Sequence, residues 1–349
     1  MRHVTDGDQP APERLRAILR SCRGRRVLVL GDMVADEYIV GRPARLSREA
    51  PIPVLEWVDR YVVPGGATNL ARNVRSLGGE VAVAGVIGRD EIGQVLRRRL
   101  IDEGIGVEGL VEEEGRPTST KTRVVGGSPQ VVSQQIARID RVVHAEIGDA
   151  AKAHIIAYLQ RELPRVDALI VSDYENGVIN ADIIAAALPL AAARRLITTV
   201  DAHGDLLRFK GVTLATPNQD EAAATLQTIL RDDDDVCRGG AELVRGMEAQ
   251  GVLITRGSEG MTLVEAGGTC HHIRVPESRM SEVRDATGAG DTVSAAVTLA
   301  LTAGASLLEA AYLSNSAAGV VVRRLGAATA TPEQVLQELG DQDSSGPSS

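Results

Sequence analysis

Short apolar runs rich in β-branched residues, each followed by a segment of helical spacing, constrain this chain more than any other feature. Arg26–Leu30 (RVLVL) ends in Gly31-Asp32 and shows no polar alternation, as expected of a strand buried on both faces. Ala67–Leu77 follows a Gly-Gly pair and carries Leu70, Val74 and Leu77 at helical spacing. Val81–Ile87 reads as another buried strand, and Asp90–Glu103 as a helix with Ile92, Leu96 and Leu100 on one face. Strands follow at Ala168–Ser172, Leu196–Asp201, Val212–Thr216 and Val252–Thr255. Helices follow at Ala181–Arg195, 219–230, 236–250, Thr287–Ala303 and Ser306–Arg323. Strands alternating with helices make βαβ units. The expected fold is α/β, with a mostly parallel central sheet covered by helices on both faces. Ligands of such sheets sit outside the carboxyl ends of the strands.

Val54–Val63, and Ser119–Val125 with Val131–Ile139, break the alternation. They are β-patterned, with Gly126, Gly127 and Pro129 as turn residues and no helix between, and they predict a small antiparallel β flap. The expected division is an N-terminal extension over 1–24 and a main domain over 25–335. The flap is drawn from about 38–63 and 117–140 of that domain. A disordered tail over 336–349 completes the division. Residues 1–10 and Gly340–Ser349 read as frayed ends, and Asp232–Asp235 as a solvated loop.

A net charge of -9 lacks the basic field that drives nucleic-acid binding, and 2% aromatics provide no base-stacking platform. A membrane span needs about 20 apolar residues. Ala185–Ala193 is interrupted by Pro189, and Val293–Ala303 contains Ser294, Thr298 and Thr302, so both fall short. The N-terminus has no apolar signal core, so the expected location is cytoplasmic. Cys22, Cys237 and Cys270 match no disulfide framework or zinc spacing and read as reduced thiols. The alternation of His271-His272 across a strand points the two rings apart, against a chelate.

The chemistry concentrates in Arg284–Ser294, RDATGAGDTVS. Thr287, Gly288, Ala289 and Gly290 precede an apolar helix marked by Val293, Val297 and Leu301. Small residues let backbone N–H groups converge, and the helix N-terminus adds positive potential, so the loop can hold transferring phosphate charge. Asp291 lies in the first helical turn. It either supports the helix terminus, a role worth about 1 kcal/mol, or serves as general base for a substrate hydroxyl. G-x-x-x-x-G-K-[ST] is absent, as are a strict G-x-G-x-x-G after the first strand and H-E-x-x-H.

The ATGAGDT segment, with Gly65-Gly66-Ala67-Thr68-Asn69, resembles the signatures of the ribokinase, or PfkB, family of carbohydrate kinases, over roughly residues 25–335. Within that family the chain is similar to the heptose-phosphate kinases. The patterns are Gly31-Asp32-Met33-Val34-Ala35-Asp36, Ser47–Val54, Pro64–Asn69, and Thr120-Lys121-Thr122-Arg123 with Gln134 to Asp140. The resemblance implies ATP-dependent phosphorylation of the anomeric hydroxyl of D-glycero-D-manno-heptose 7-phosphate. It also implies that Asp36, Gly65, Gly66 and Asn69 bind the sugar, and that Asn218 and Glu221 form an N-x-x-E motif in which Glu221 holds Mg²⁺ through water. Thr287, Gly288, Gly290, Arg256 and Gly257 would contact nucleotide phosphates, and Asn315 would lie near the adenine. Gly288, Ala289, Gly290 and Asp291 would form the catalytic loop. Lys121, Arg123 and Arg138 on the flap are candidates for a substrate phosphate, or are solvated strand cations. Two lysines of the heptose kinases are replaced: Ser172-Asp173-Tyr174-Glu175-Asn176-Gly177 and Asp201-Ala202-His203-Gly204 stand where Ser-Asp-Tyr-x-Lys-Gly and Asp-Pro-Lys-Gly are usual. The H-x-G-H nucleotidyltransferase motif of bifunctional relatives is missing, so that second step is not expected. Another sugar or nucleoside as acceptor, and a non-catalytic sugar- or nucleotide-binding role, remain alternatives. Open flap edges lead to the expectation of a homodimer joined through the flap.

Overall fold

The computed structural model describes residues 2–4, 9–128, 131–275 and 282–344. The turn residue Pro129 and the last five residues of the expected tail lie outside them. The central sheet contains β1 (Arg2–Val4), β2 (Arg26–Gly31), β5 (Glu80–Gly88), β6 (Gly106–Glu113), β9 (Ala168–Asp173), β10 (Ile197–Ala202), β11 (Leu214–Ala215), β12 (Gly251–Thr255), β13 (Met261–Glu265) and β14 (Thr269–Ile273). Their order is β1-β14-β13-β12-β11-β10-β9-β2-β5-β6. All neighbours run parallel except β12–β13 and β13–β14.

Strand periodicity assigns the two cores. On β2, Val27 and Val29 face one hydrophobic cluster, while Leu28 and Leu30 face the other. The first cluster is closed by α1 (Pro12–Ser21), α2 (Ala67–Ser76), α3 (Glu91–Asp102), α8 (Ala289–Thr302), α9 (Leu307–Val321) and α10 (Pro332–Ser344). The second is closed by α4 (Asp149–Glu162), α5 (Ala181–Ala193), α6 (Gln219–Leu226) and α7 (Asp233–Met247). A doubly covered sheet leaves its strand ends as the place where polar loops can converge.

The flap comprises β3 (Met33–Leu46), β4 (Pro53–Gly66), β7 (Ser119–Ser128) and β8 (Val131–Arg141), in the order β4-β3-β7-β8. Each hairpin is antiparallel, but β3 and β7 pair in parallel. The chain returns to the main domain through α2, β5, α3 and β6 between them, and such a crossover brings the second hairpin back in the same direction.

Several boundaries need correction. The described residues of 1–24 pack onto the domain: β1 pairs with β14, and Leu15, Ile18, Leu19 and Cys22 are buried in the first core. A three-residue edge strand and a helix following an N-terminal polar stretch carry little periodic signal. Residues 336–344 of the expected tail are helical instead, because α10 reaches Ser344, and Val335 and Leu339 are buried. Asp232–Asp235 is a helix start: Asp232 caps α7 through the Asp235 N–H, and the acidic first turn faces the positive end of the dipole. Cys237 on α7 and Cys270 on β14 are joined as a disulfide, which 33 residues of separation hide in the sequence. Cys22 is free.

If α1 is core, Ile18→Ala must cost about 2–5 kcal/mol of stability. Denaturant unfolding monitored by circular dichroism measures this, and a loss near zero would return α1 to the status of an appendage.

Candidate active site

A cavity of about 600 Å³ opens at the carboxyl ends of β9, β10 and β12, against the N-terminus of α8. Gly288, Ala289, Gly290 and Asp291 line it. Gly288 is the α8 N-cap at φ 78°, and a Cβ there would stand 2.8 Å from Asn69 Nδ2. Glycine is therefore required by both backbone angle and space. A Cβ at Gly290 would meet nothing within 4 Å, so a ligand can approach that backbone. Thr287 is half-buried, with its N–H donating to Asp285 Oδ1 at 2.9 Å.

Asp291 is 6% exposed and both of its oxygens are engaged. Asn69 Nδ2 donates to Oδ2 at 2.6 Å, and Tyr174 Oη donates to Oδ1 at 3.2 Å. Burial raises the carboxyl pKa to about 6, opposed by these two hydrogen bonds and by the charge of His203 and reinforced by Asp36. A carboxylate titrating there is mostly ionised at neutral pH, yet a better proton acceptor than an exposed aspartate.

Asn69 comes from the first turn of α2, which starts at Gly66, φ 52°. Its Oδ1 is buried and has no hydrogen-bond partner among the described residues, an acceptor open to a ligand hydroxyl. Asp36 on β3 accepts from Arg123 Nη1 at 2.6 Å. A Cβ at Gly65 would sit 2.6 Å from Asp36 Oδ2, so only glycine leaves that carboxylate its place. Lys121 Nζ lies 4.8 Å above the Tyr174 ring. Asp36, Gly65, Asn69, Lys121 and Arg123 thus gather beside the cavity, joined to it through Asp291 and Tyr174. Arg138 does not gather there: on the exposed flap it forks onto Asp140 at 2.9 Å.

On the other side Asn218, Glu221, Gly257 and Asn315 line the cavity. Asn218 and Glu221 form a capping box at the start of α6. Glu221 Oε2 accepts the Asn218 N–H at 2.8 Å, and its Oε1 lies 2.6 Å from His203 Nδ1. Arg256 does not reach the cavity with its guanidinium. One residue beyond β12, its side chain turns into the protein, donating to Gln219 Oε1 at 3.2 Å and Asp233 Oδ1 at 2.6 Å, and pairing with Glu259. The expected phosphate clamp is spent within the structure, while Gly257 and Ser258 offer backbone.

The sequence reading assigned no role to Tyr174, Asp201 or His203, all of which line the cavity. All three fall in the segments where lysines are replaced, and those departures were the available signal. Burial, then the charges of Asp291 and Glu221, push Asp201 up to about 7 despite His203 and Ser294. The bond to Glu221 raises the His203 pKa, against partial burial. Asp32, buried at the end of β2, accepts N–H bonds from Tyr174, Asn176 and Val178 at 2.8, 3.1 and 3.2 Å and so shapes the loop that presents Tyr174.

The residues fit a nucleotide triphosphate. Gly257 and Gly288–Gly290 supply open backbone for phosphates, and Met261, Val283, Val293, Ala318 and Val322 supply an apolar wall beside Asn315 for a base. Asp201 and Glu221 both line the cavity and could hold a divalent cation, Glu221 through water since both its oxygens are engaged.

A ribokinase-like fold with a glycine-lined anion cradle and a clamped aspartate defines an ATP-dependent carbohydrate kinase. The chain belongs to the pfkB family of carbohydrate kinases, whose pattern it matches over residues 26–334. It is 39% identical to the "Bifunctional protein HldE" of Geobacter sulfurreducens over 320 residues, 91% of this chain and 64% of that protein. It is 36% identical to the protein of the same name from Gluconacetobacter diazotrophicus, again over 91% of this chain and 64% of the relative. The chain therefore spans under two thirds of the length of these curated relatives. In structure it is similar to phosphofructokinase-2 from Escherichia coli (TM-score 0.73, 18% identity, 92% of this chain and 99% of that one). It is also similar to Arabidopsis thaliana ribokinase complexed with ribose and ATP (TM-score 0.68, 18% identity, 90% and 99%). No helix among the described residues is long and apolar enough to cross a membrane.

The buried carboxyls set a pH dependence of stability. Asp201, at about 7 when folded against an ordinary 3.8, holds a proton through that window in the folded state alone. Stability is therefore full below the ordinary value and is lost as pH rises through 7. Asp173 and Asp291, each about 6 because of burial, act in the same direction, as does His203. The melting temperature of the ligand-free protein should fall from pH 5 to pH 8. Asp201→Asn should flatten that fall and melt at least about 2 °C higher than wild type at pH 8. Calorimetry at both pH values decides; a variant no more stable than wild type at pH 8 would refute the burial cost assigned to Asp201.

Proposed function

We propose that the chain phosphorylates the anomeric hydroxyl of D-glycero-D-manno-heptose 7-phosphate, with ATP as donor, giving the 1,7-bisphosphate. The observation carrying this reading is the Asp291 carboxylate, held at the cavity between a sugar-facing asparagine and the glycine cradle. The sequence likeness to heptose-phosphate kinases supports the acceptor. So does the cationic character of the adjoining flap, where Arg123 and Lys121 stand beside Asp36 and Tyr174.

In this reading Asp291 accepts the hydroxyl proton as the sugar oxygen attacks the terminal phosphorus. Asn69 orients the carboxylate and offers Oδ1 to a sugar hydroxyl. Backbone N–H groups of the Gly288–Gly290 turn stabilise charge on the transferring group. Mg²⁺, held by Glu221 through water, would neutralise phosphate charge when bound. Arg123 holds the Asp36 carboxylate in place beside the sugar. The flap excludes water that would otherwise take the phosphoryl group.

The same reading places the reaction in the cytoplasm, in a homodimer. Leu46, Trp57, Val58 and Ile139 on the flap are all more than half exposed. Apolar side chains of this size on a projecting sheet are covered when two flaps meet across a two-fold axis. Static light scattering should give twice the chain mass, and Trp57→Asp should shift it to the monomer; a monomeric wild type would refute the arrangement.

The decisive assay follows ³¹P NMR of ATP with heptose 7-phosphate, beside fructose 6-phosphate, ribose and a nucleoside. The expected result is a new anomeric phosphate on the heptose alone, with kcat at least about 100-fold lower in Asp291→Asn. Turnover only on another sugar overturns the acceptor, and near-native turnover of the variant removes the base.

A further inference from the structure

Tyr174 takes no part in the scheme above, yet three functional groups meet on it. Its hydroxyl donates to Asp291 Oδ1 at 3.2 Å. The Lys121 ammonium of the flap lies over its ring at 4.8 Å. The His203 ring meets it edge-on, with centroids 4.3 Å apart, and His203 is itself held by Glu221. The backbone beneath is fixed, because Asp32 accepts the Tyr174 N–H at 2.8 Å and two further N–H groups of the same loop. A tyrosine pinned at its main chain, gripped on its ring and bonded at its hydroxyl has little rotational freedom.

We infer that Tyr174 is the positioning residue that fixes the orientation and the proton affinity of the Asp291 carboxylate, with Asn69 as its counterpart on the other oxygen. This deepens the reading of Asp291 as general base and rests on it. The argument is geometric. A carboxylate in a first helical turn can rotate about its Cβ–Cγ bond, and one donor on each oxygen stops that rotation. Asn69 holds Oδ2 at 2.6 Å and Tyr174 holds Oδ1. Both donors favour the ionised form, which keeps a buried acid available as a base near neutral pH. The charged groups facing Asp291 from the neighbouring elements are Asp36 from β3, Asp201 from β10 and His203 just after it, with Lys121 from β7 across the tyrosine ring. The two aspartates raise its proton affinity and His203 lowers it, so the Tyr174 hydroxyl is one of the few groups holding it down. Because the ring also touches the flap through Lys121, the base is set from the side that carries the sugar-facing strands.

The test reads the carboxyl directly and needs no sugar. The full chain is labelled with [γ-¹³C]aspartate, the Asp291 carboxyl resonance is assigned by its loss in D291N, and its midpoint is followed with pH. Y174F removes only the hydroxyl and should raise the midpoint by about half a pH unit or more, the scale of one lost hydrogen bond. 3,5-Difluorotyrosine at position 174 keeps the shape but donates more strongly, and should lower the midpoint. This second variant also serves if Y174F fails to fold. With heptose 7-phosphate as acceptor, the acid limb of the Y174F rate profile should move up with the midpoint. ATP binding by calorimetry should change less than about twofold, since only the base is altered. A midpoint unmoved in the variants that fold overturns the inference and leaves the assignment of the base standing. Near-native turnover of D291N overturns that assignment, while the coupling of hydroxyl to carboxyl is still read by the titration.

Discussion

The hydrogen bond from Asn69 to Asp291 joins side chains 222 residues apart and ties α2 to α8. One helix begins where the flap returns to the main sheet; the other begins at the phosphate cradle. In the proposed reaction the bond therefore sets the distance between the sugar and the phosphoryl group that moves. Its geometry depends on what is missing nearby. A Cβ on Gly288 would crowd the asparagine amide, and a Cβ on Gly66 would crowd Val34 at the root of the flap. Thr292 adds a second tie between the helices by donating to Asn73 Oδ1 at 2.8 Å. Two such bonds in a water-poor interface resist the relative sliding that would misplace a reacting atom.

Around that bond the molecule buries several acids and uses them differently. Asp32 accepts three backbone N–H groups and shapes a loop. Asp36 is neutralised by Arg123. Among the described residues Asp201 and Asp291 have no cation paired with them, and burial moves both toward neutral pH. Burial without a paired cation is costly to the fold, and such cost is accepted where a proton or a cation must be exchanged. What sets Asp201 and Asp291 apart from Asp36 is thus the lack of a paired cation among the described residues, not depth.

Much of the fold was legible. β2, β9 and α8 are long, regular and apolar, and the periodicities of Arg26–Leu30, Ala168–Ser172 and Thr287–Ala303 found them within a residue or two. The segments that failed have weak local patterns. β1 is three residues on a sheet edge, and α1 earns its place only by docking Ile18 and Leu19 against α8–α10. The parallel pairing of β3 with β7 is invisible locally, because it depends on a crossover through four intervening elements. The disulfide depends on where α7 lies over β14, which no spacing encodes.

For the site, the sequence by itself determined the cradle and its acid. Glycines are needed where φ is positive or space is absent, and a carboxylate in the first turn of a helix is a local arrangement, so the shape of Gly288–Asp291 is readable in its spelling. The tertiary structure alone decided which partners surround that acid. It turned Arg256 inward to Asp233 and Glu259, left Arg138 on the flap surface, and brought Tyr174, Asp201 and His203 to the cavity wall. The physical reason is range. Backbone conformation and capping are fixed by neighbours in the chain, whereas hydrogen bonding, desolvation and charge act across a few ångströms of space between residues that are distant in sequence.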